Sequence, residues 1–352
     1  MSNLFSKFSR TFLYFFSRLP YNGEKYAEKG GGAAVRELHI GKNDAGQRLD
    51  RFLAKAVPLL PASLAQKYLR LKRIKVNGAR AARDQRLCEG DCVQCYVNDE
   101  FFDAPDRGNV YLTITQPRLN VVYEDENLLL LDKPAGLLCH PGDDGGGVSL
   151  VDHLLAYLYQ KRAWRPREEN AFTPALCNRI DRNTSGLVLA AKNAEALRIL
   201  NEKIRDREIA KFYLCVCLGR PEPPSGRIEC FLRKDEATGD MRVYHRAIPG
   251  GRSAVTLYRT LETRGGLSLL EVELLTGRTH QIRASLADLG HPLLGDGRYG
   301  LGEVNRRFGE RAQLLCACRL RFDFPTPAGA LEYLRGREFT AADVPFRRKY
   351  FG

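Results

Sequence analysis

Apolar positions along the 352-residue chain follow two different periods. In GQRLDRFLAKAV, Leu49, Phe52, Leu53 and Val57 recur at helical spacing, which predicts one amphipathic helix. Pro61 and Ser63 suit the entry to a second helix, which carries Leu64, Lys67, Tyr68 and Leu71. Asn77-Gly78 and Glu89-Gly90-Asp91 read as turns between short strands. The pattern gives a small module over residues 35–104 with its own core.

After a connector containing Pro105 and Pro117, strand-like runs dominate residues 118–325. LNVVYED and NLLLLDKPAG predict two short strands, and Ser149 starts a helix carrying Leu150, His153, Leu154 and Leu158. Leu197, Leu200 and Ile204 supply the face of a further helix. Phe212, Leu214, Val216 and Leu218 then alternate with Tyr213, Cys215 and Cys217 along a strand. SAVTLYRTLE, LSLLEVELL and LLCACRLRFDFP add more strands. Regular βαβ units are few, so the expected class is α+β. No G-x-G-x-x-G lies between a strand and a helix, which argues against a dinucleotide fold, and DDGGG lacks the closing residues of a P-loop.

Two segments flank these domains. Residues 1–34 form an N-terminal extension in which Phe5, Phe8, Phe12, Phe15 and Leu19 recur near helical spacing, with Lys7, Arg10 and Arg18 among them. It reads as a loosely attached extension first, and otherwise as a basic amphipathic helix that touches RNA, membrane or the protein's own body; a linker follows. Residues 326–352 form a C-terminal tail that packs on the body or contacts RNA.

Charge narrows the partner. The formal net charge of +13 favours an anionic partner, nucleic acid before membrane surface. Lys67, Arg70, Lys72, Arg73, Lys75, Arg80 and Arg83 place seven positive charges around one helix end and hairpin of the small module. Such a cluster tracks phosphates without reading base edges. The ten cysteines predict neither disulfides nor metal. Cys215 and Cys217, like Cys316 and Cys318, share a strand face. The close trio of Cys88, Cys92 and Cys95 has no histidine near it in the chain. A reducing, cytoplasmic setting follows. No run reaches the roughly 20 apolar residues that span a bilayer, so stable membrane insertion is not expected.

Three polar stretches carry the candidate chemistry. CNRIDRNTSGLVLAAKN sets Asp181 between Arg179 and Arg182, just ahead of an apolar run; it reads either as an ion-paired surface turn or as a carboxylate held charged in an active site. The second stretch is Lys211 with Tyr213. The third, TGRTHQIRASLADLGHPLLGDGRYG, reads by composition as a basic turn leading into a helix.

Together these stretches resemble the RluA-type pseudouridine synthases. VYEDENLLLLDKPAGLLCHP is similar to that family's opening motif, RIDRNTSGLVLAAKN to its catalytic stretch, KFYLCVCLG to its tyrosine-bearing strand, and LTGRTHQIRASLADLGHPLLGDGRYG to its last signature. GQRLDRFL through VNG to EGD resembles an S4 RNA-binding domain. The resemblance covers about Val35 to Phe324. It implies an S4-like domain followed by a mainly antiparallel catalytic sheet flanked by helices and loops.

The resemblance also implies roles. Asp181 is the catalytic aspartate, Tyr213 packs against the target base, and Arg283 pairs with the catalytic carboxylate. Lys133 and Pro134 shape the site, as do Asn178, Arg179, Gly186 and Gly277, with both glycines permitting close backbone approach. Arg182, Arg278 and His280 position RNA. The family pattern has histidine where this chain has Asn178, which can be neither base nor cation near neutral pH.

The implied reaction breaks the N1–C1′ bond of a uridine, turns the base and joins C5 to C1′. No cofactor or metal is expected. The flipped base loses a few kcal/mol of stacking, and an aromatic recovers roughly 1–3 kcal/mol. Asp181 must be ionised to attack or to deprotonate the sugar, a state that a guanidinium favours. The expected partner is structured RNA, ribosomal RNA of the large subunit first and transfer RNA second, with the chain acting as a monomer. The competing readings are a catalytically silent RNA-binding or assembly factor and a hydrolase. The hydrolase would use Asp181 with Asp296, or Ser185 with His280, but no G-x-S-x-G elbow supports it.

Overall fold

The computed structural model describes residues 35–102, 110–142, 147–166 and 168–352. The N-terminal extension with its amphipathic spacing, most of the DDGGG loop and part of the connector lie outside them. The chain divides into two compact units, Met1–Pro105 and Asp106–Gly352.

In the first unit, strand β1 (Arg36–His39) precedes helices α1 (Leu49–Ala56) and α2 (Ala62–Arg70), and strands β2 (Ile74–Val76), β3 (Ala79–Arg80) and β4 (Cys92–Cys95) follow. The strands pair in the order β1-β4-β2-β3. Leu49, Phe52, Leu53 and Val57 are buried, as their spacing predicts. Asn77 and Gly78 both adopt positive φ, 52° and 76°, and close the tight hairpin between β2 and β3.

The second unit opens with a short helix, α3 (Val110–Thr113), and strands β5 (Val121–Glu124) and β6 (Leu128–Lys133). Next come α4 (Leu150–Gln160), β7 (Ala175–Leu176), β8 (Ser185–Ala191), α5 (Ala194–Arg205) and β9 (Ile209–Leu218). Strands β10 (Ser225–Lys234), β11 (Met241–Tyr244), β12 (Arg252–Arg264) and β13 (Leu267–Leu274) follow, with β12 returning beside β10 rather than β11, ahead of α6 (Gln281–Asp288) and α7 (Gly302–Phe308). Strands β14 (Leu315–Phe322) and β15 (Glu338–Thr340) and helix α8 (Pro345–Phe351) complete it. Among the described residues the sheet has eleven strands, with the main order β11-β10-β12-β13-β9-β14-β8-β6-β5. Its pairings are antiparallel except for β8 with β14.

Alternation explains the layering. Leu129 and Leu131 of β6 face a core shared with α4 and α6, while Leu128 and Leu130 face a second core capped by α5 and by Leu331 and Leu334. Cys215 and Cys217 lie together in the first core, as their spacing of two predicts. At the start of α4, the Ser149 hydroxyl donates to Asp152 at 2.6 Å in a capping box.

The second unit is wider than the 118–325 expected from sequence. Residues 326–352 pack on the body, one of the two placements expected for them, and extend the second unit: β15 pairs with β14, and Phe346 and Phe351 of α8 pack on Leu214 and Val216. A buried polar knot anchors this end. Lys203 of α5 donates to Glu208 at 2.6 Å and to the Thr326 carbonyl at 2.9 Å, and the Thr326 hydroxyl donates to Glu208 at 2.7 Å. The Lys203 hydrogen bond holds the Glu208 carboxyl below its ordinary value of 4.5. A depressed acid stabilises the fold above its unfolded-state value and loses that contribution as pH falls through the folded one. Glu208→Gln is therefore expected to melt at a lower temperature than the wild type at neutral pH, and the gap should narrow below about pH 4.5. Thermal melts of both proteins across that range check this.

Candidate active site

Four loops meet at one end of the large sheet: 134–137 after β6, 177–184 before β8, 276–280 before α6, and 293–300 after it. Strand β8 lies between β6 and β14, and Gly186 pairs with Lys133 on one side and Ala317 on the other. Gly186 has φ of 105°, and a Cβ there would run into the Ala317 carbonyl. Only glycine lets the two parallel strands approach at this point. Asp181 lies four residues before the first residue of β8, in the loop that this close approach anchors.

Lys133 ties that loop down. It is fully buried, and its ammonium donates to the carbonyls of Pro134 at 2.8 Å, Leu137 at 2.8 Å and Arg182 at 2.9 Å. The Gly136 N–H also donates to the Arg182 carbonyl at 2.8 Å, and Arg182 Nε returns a bond to the Gly136 carbonyl at 3.0 Å. Burial pushes the Lys133 amine down to about 8, against the opposing pull of Cys139 and Asp181. Asn178 braces the same loop: its carboxamide oxygen accepts the Leu189 N–H at 2.7 Å.

The charge centre is Arg283, the third residue of α6 and only 6% exposed. Its Nη1 donates to Asp181 Oδ2 at 3.0 Å. Its Nε and Nη2 donate to the two oxygens of Asp296 at 2.7 and 2.9 Å, a bidentate pair. Asp296 has no exposed surface and also accepts the N–H groups of Arg298 and Tyr299 at 2.8 and 3.0 Å. Burial favours the neutral acid there, but the Arg283 hydrogen bonds outweigh it and hold the carboxyl below its ordinary value. The flanking arginines take other partners: Arg179 donates to the Thr279 hydroxyl at 3.1 Å and Arg182 to Gly136. The ion-paired surface turn is thereby ruled out as the reason for the R-I-D-R spacing.

Gln281 shapes the entry to α6. It accepts from the Thr276 hydroxyl at 2.9 Å and the Arg278 N–H at 3.0 Å, and donates to Thr256 at 3.0 Å. His280 precedes it in a left-handed conformation, φ 53°. Its Nε2 lies 3.9 Å from Asp181 Oδ2 and its Nδ1 lies 3.0 Å from the Tyr299 hydroxyl. Burial lowers the His280 pKa below 6.5 despite the Asp181 charge. The Tyr299 ring lies 5.2 Å from the Arg283 guanidinium. Tyr213 is 7% exposed, and burial, then the Asp181 charge, push its hydroxyl above the ordinary value, so it remains a donor at neutral pH.

The sequence-predicted residues thus divide. Asp181, Arg283 and His280 converge; Lys133, Pro134, Asn178, Arg179 and Gly186 hold their loops. Arg278 donates through Nε to the Ser253 carbonyl at 3.0 Å. Gly277 differs from expectation, because a Cβ there would meet nothing within 4 Å, so no protein backbone approaches it closely. Tyr299 and Gln281 were not foreseen as site residues, and Asp296 only as half of a hydrolytic carboxylate pair, although the GDGRYG and THQIR stretches contain all three. As a carboxylate pair for hydrolysis Asp296 fails, since both its oxygens already accept from Arg283.

In the first unit, Arg70, Arg80 and Arg83 line a cavity of about 570 Å³ together with Gln66, Leu69, Ala81 and Ala82. Lys67, Lys72 and Arg73 are exposed beside it. Arg73 lies over Tyr68 at 5.4 Å and Lys75 over Tyr96 at 5.1 Å. A histidine does approach the cysteine trio in space: β1 pairs with β4 so that His39 faces Cys92, and Glu37, His39 and Cys92 bring ligand atoms within 4.8 Å of one another. These three residues could hold a divalent metal ion by their donor types.

The sequence profile of the family described as RNA pseudouridylate synthase matches residues 127–288, a span that includes Asp181, Tyr213 and Arg283. A ribosomal large subunit pseudouridine synthase C of Vibrio cholerae is 31% identical over 304 residues, covering 85% of this chain and 92% of its own. The chain belongs to the RNA pseudouridine synthase family. A ribosomal large subunit pseudouridine synthase D of Nitrosomonas europaea is 31% identical over 264 residues, 75% of this chain and 72% of its own. Among solved structures, human RNA pseudouridylate synthase domain containing 4 shares the fold, with a TM-score of 0.51 at 23% identity over 68% of this chain and 94% of its own. Among the described residues of this synthase, no helix is long and apolar enough to cross a membrane.

Two outcomes are expected from this geometry. Asp296→Asn leaves the buried Arg283 charge short of a partner, a change that costs about 3–5 kcal/mol when a buried pair is broken. The melting temperature should fall, and turnover should fall with it although Asp181 is intact; calorimetry and kinetics of one preparation check both. Lys133→Met orphans up to three carbonyls, at about 1–3 kcal/mol each. In the wild type, raising pH through about 8 removes a proton from Lys133 and leaves two N–H donors for three carbonyls. Because the folded-state value lies below the ordinary 10.5, the unfolded chain holds more protons in that window, so this group's effect on stability favours the fold as pH rises. The wild type is expected to lose turnover above about pH 8 without a matching loss from this group in thermal stability, and the residual turnover of Lys133→Met should lack that inflection. Parallel pH–rate and pH–melting profiles test it.

Proposed function

We propose that this synthase converts specific uridines of large-subunit ribosomal RNA to pseudouridine, with Asp181 as the reacting carboxylate. The observation that carries the reading is the 3.0 Å bond from Arg283 to Asp181, made by a guanidinium whose other donors are fixed on buried Asp296. A carboxylate held this way has a set direction and a charge-assisted partner, as a nucleophile or base must.

In the proposed course, the uridine leaves its stack and enters beside Asp181. The N1–C1′ bond breaks, the uracil rotates, and C5 bonds to C1′. The C5 proton passes to solvent and N1 gains one, so no other atom enters or leaves. Asp181 either adds to the sugar or takes a sugar proton. Tyr213, mostly buried, packs against the base, and its protonated hydroxyl is available as a donor. Arg182 and Arg278 contact RNA around the opening.

The first unit is read as an S4-like domain. Two helices on a small sheet, with Arg70, Arg80 and Arg83 converging on one cavity, fit a surface for phosphates. The names of the relatives from Vibrio cholerae and Nitrosomonas europaea favour the large ribosomal subunit over transfer RNA. The ten free cysteines fit a cytoplasmic protein, and the reading takes it as a monomer.

Tritium at uracil C5 tests the reading. RNA from cells lacking the protein, labelled at that position, should release tritium with the wild type. Asp181→Asn should bind the same RNA and release none above background. Release from transfer RNA alone would move the substrate. Binding without release from any RNA would instead favour the silent RNA-binding factor, and wild-type release by Asp181→Asn would remove that residue from the chemistry.

A further inference from the structure

We propose that Tyr299 is a positioning residue that sets which nitrogen of His280 carries the proton, making His280 a donor aimed at the Asp181 carboxylate. The step rests on the reading of Asp181 as the reacting group. It begins with the Tyr299 hydroxyl, which accepts the backbone N–H of Met241 at 2.8 Å. The same oxygen lies 3.0 Å from Nδ1 of His280. Burial raises the Tyr299 pKa, so the phenol keeps its proton, and burial lowers that of His280, so the imidazole is neutral and has a single N–H.

Two arrangements satisfy the 3.0 Å contact. If Nδ1 donates, the phenol accepts twice and its own proton has no use within the pair. If the phenol donates to Nδ1, the Met241 N–H, the phenol proton and the Nδ1 lone pair are all matched. The second arrangement puts the imidazole proton on Nε2. That atom stands 3.9 Å from Asp181 Oδ2, the oxygen that already accepts from Arg283 at 3.0 Å. The opposite tautomer would turn a lone pair toward a carboxylate. Arg283, Arg298 and Asp296 also act on the ring, but none of them accepts a hydrogen bond from Nδ1 in place of Tyr299.

The consequence is a division of labour within Asp181. Two donors converge on Oδ2, and Oδ1 is the oxygen turned to substrate. The 3.9 Å separation is longer than a hydrogen bond and is expected to shorten when a nucleotide fills the site, as such contacts do. The β10–β11 hairpin supports the chain of contacts at two points: Asp240 pairs with Arg298 at 2.6 Å, and the next residue, Met241, holds Tyr299. A hairpin some 60 residues from Tyr299, judged by the spacing of Met241 and Tyr299, thereby reaches the reacting carboxylate.

The test uses the full chain labelled with nitrogen-15 in histidine. Long-range proton–nitrogen correlation at about pH 8, above the imidazole range, identifies each tautomer, and His280→Gln assigns the signal among six histidines. The wild type should show His280 protonated on Nε2. Tyr299→Phe, which keeps the ring beside Arg283, should give a mixture of tautomers and lower kcat about tenfold, with KM for RNA unchanged. A wild-type signal from the Nδ1–H form overturns the proposal without any folding question. So does a Tyr299→Phe protein whose tautomer is unchanged. A chain with the stated tautomer but no tritium release keeps the tautomer assignment and sinks the functional reading; Asp181-dependent release with the wrong tautomer does the reverse.

Discussion

One buried guanidinium organises the active end of this protein. Arg283 has three nitrogens pointing at two carboxylates, and it is almost wholly out of water. A charge in that position is costly unless its partners are fixed before it arrives. Asp296 meets that condition because backbone N–H groups of Arg298 and Tyr299 hold it in turn. The pair is then neutral, and the bond to Asp181 leaves one net negative charge at the mouth of the site. The remaining structure serves this arrangement: α6 must begin where it does, the loop after it must return, and the loop before β8 must present Asp181 at the same point.

The carboxylate's own loop is held by neutral or backbone-directed contacts. Lys133 spends its ammonium on three carbonyls, Gly186 removes a side chain from a crowded strand pair, and Asn178 accepts one backbone N–H. The last contact bears on the departure from the family pattern at position 178. The bond to Leu189 needs an acceptor of the right reach, and neither a positive charge nor a proton to exchange. A carboxamide oxygen meets that need as a neutral imidazole nitrogen would. Asparagine here is compatible with an intact loop, which removes the main sequence-based reason for suspecting a silent protein.

Much of this was legible in the chain because it is local or periodic. The run Leu128–Leu131 fills both faces of an inner strand, the face formed by Leu49, Phe52 and Leu53 closes the small module, and Ser149 caps its helix. The meeting of Asp181 with Arg283 was anticipated through a family resemblance rather than through periodicity, since 102 residues separate them. What stayed hidden depends on pairing between distant segments. Asp296 looks in the sequence like an ordinary turn acid, and only burial beneath α6 shows that it is Arg283's main partner. Tyr299 gains its place from Met241, and His39 gains Cys92 as a neighbour from the β1–β4 register. The last 27 residues read as a tail because their apolar groups are sparse, yet Phe346 and Phe351 complete a core and Thr326 completes the Lys203–Glu208 knot.

The electrostatic contrast between the two units fits the proposed enzyme better than a protein that only holds RNA. In the first unit, exposed lysines and arginines surround a basic cavity, which is what attraction to phosphate requires. In the second, a half-buried carboxylate faces the place where a polyanion would come. For a protein that only holds RNA, that carboxylate is a repulsive charge, and a buried Arg283–Asp296 pair to steer it would add cost without affinity. For a protein that must present one oxygen to one sugar, the same features are needed: the pair fixes direction, and the net negative charge supplies the nucleophile or base. On the proposed function, binding energy gathered on phosphates would offset the local repulsion at a single nucleotide, which is the form of differential binding that catalysis requires.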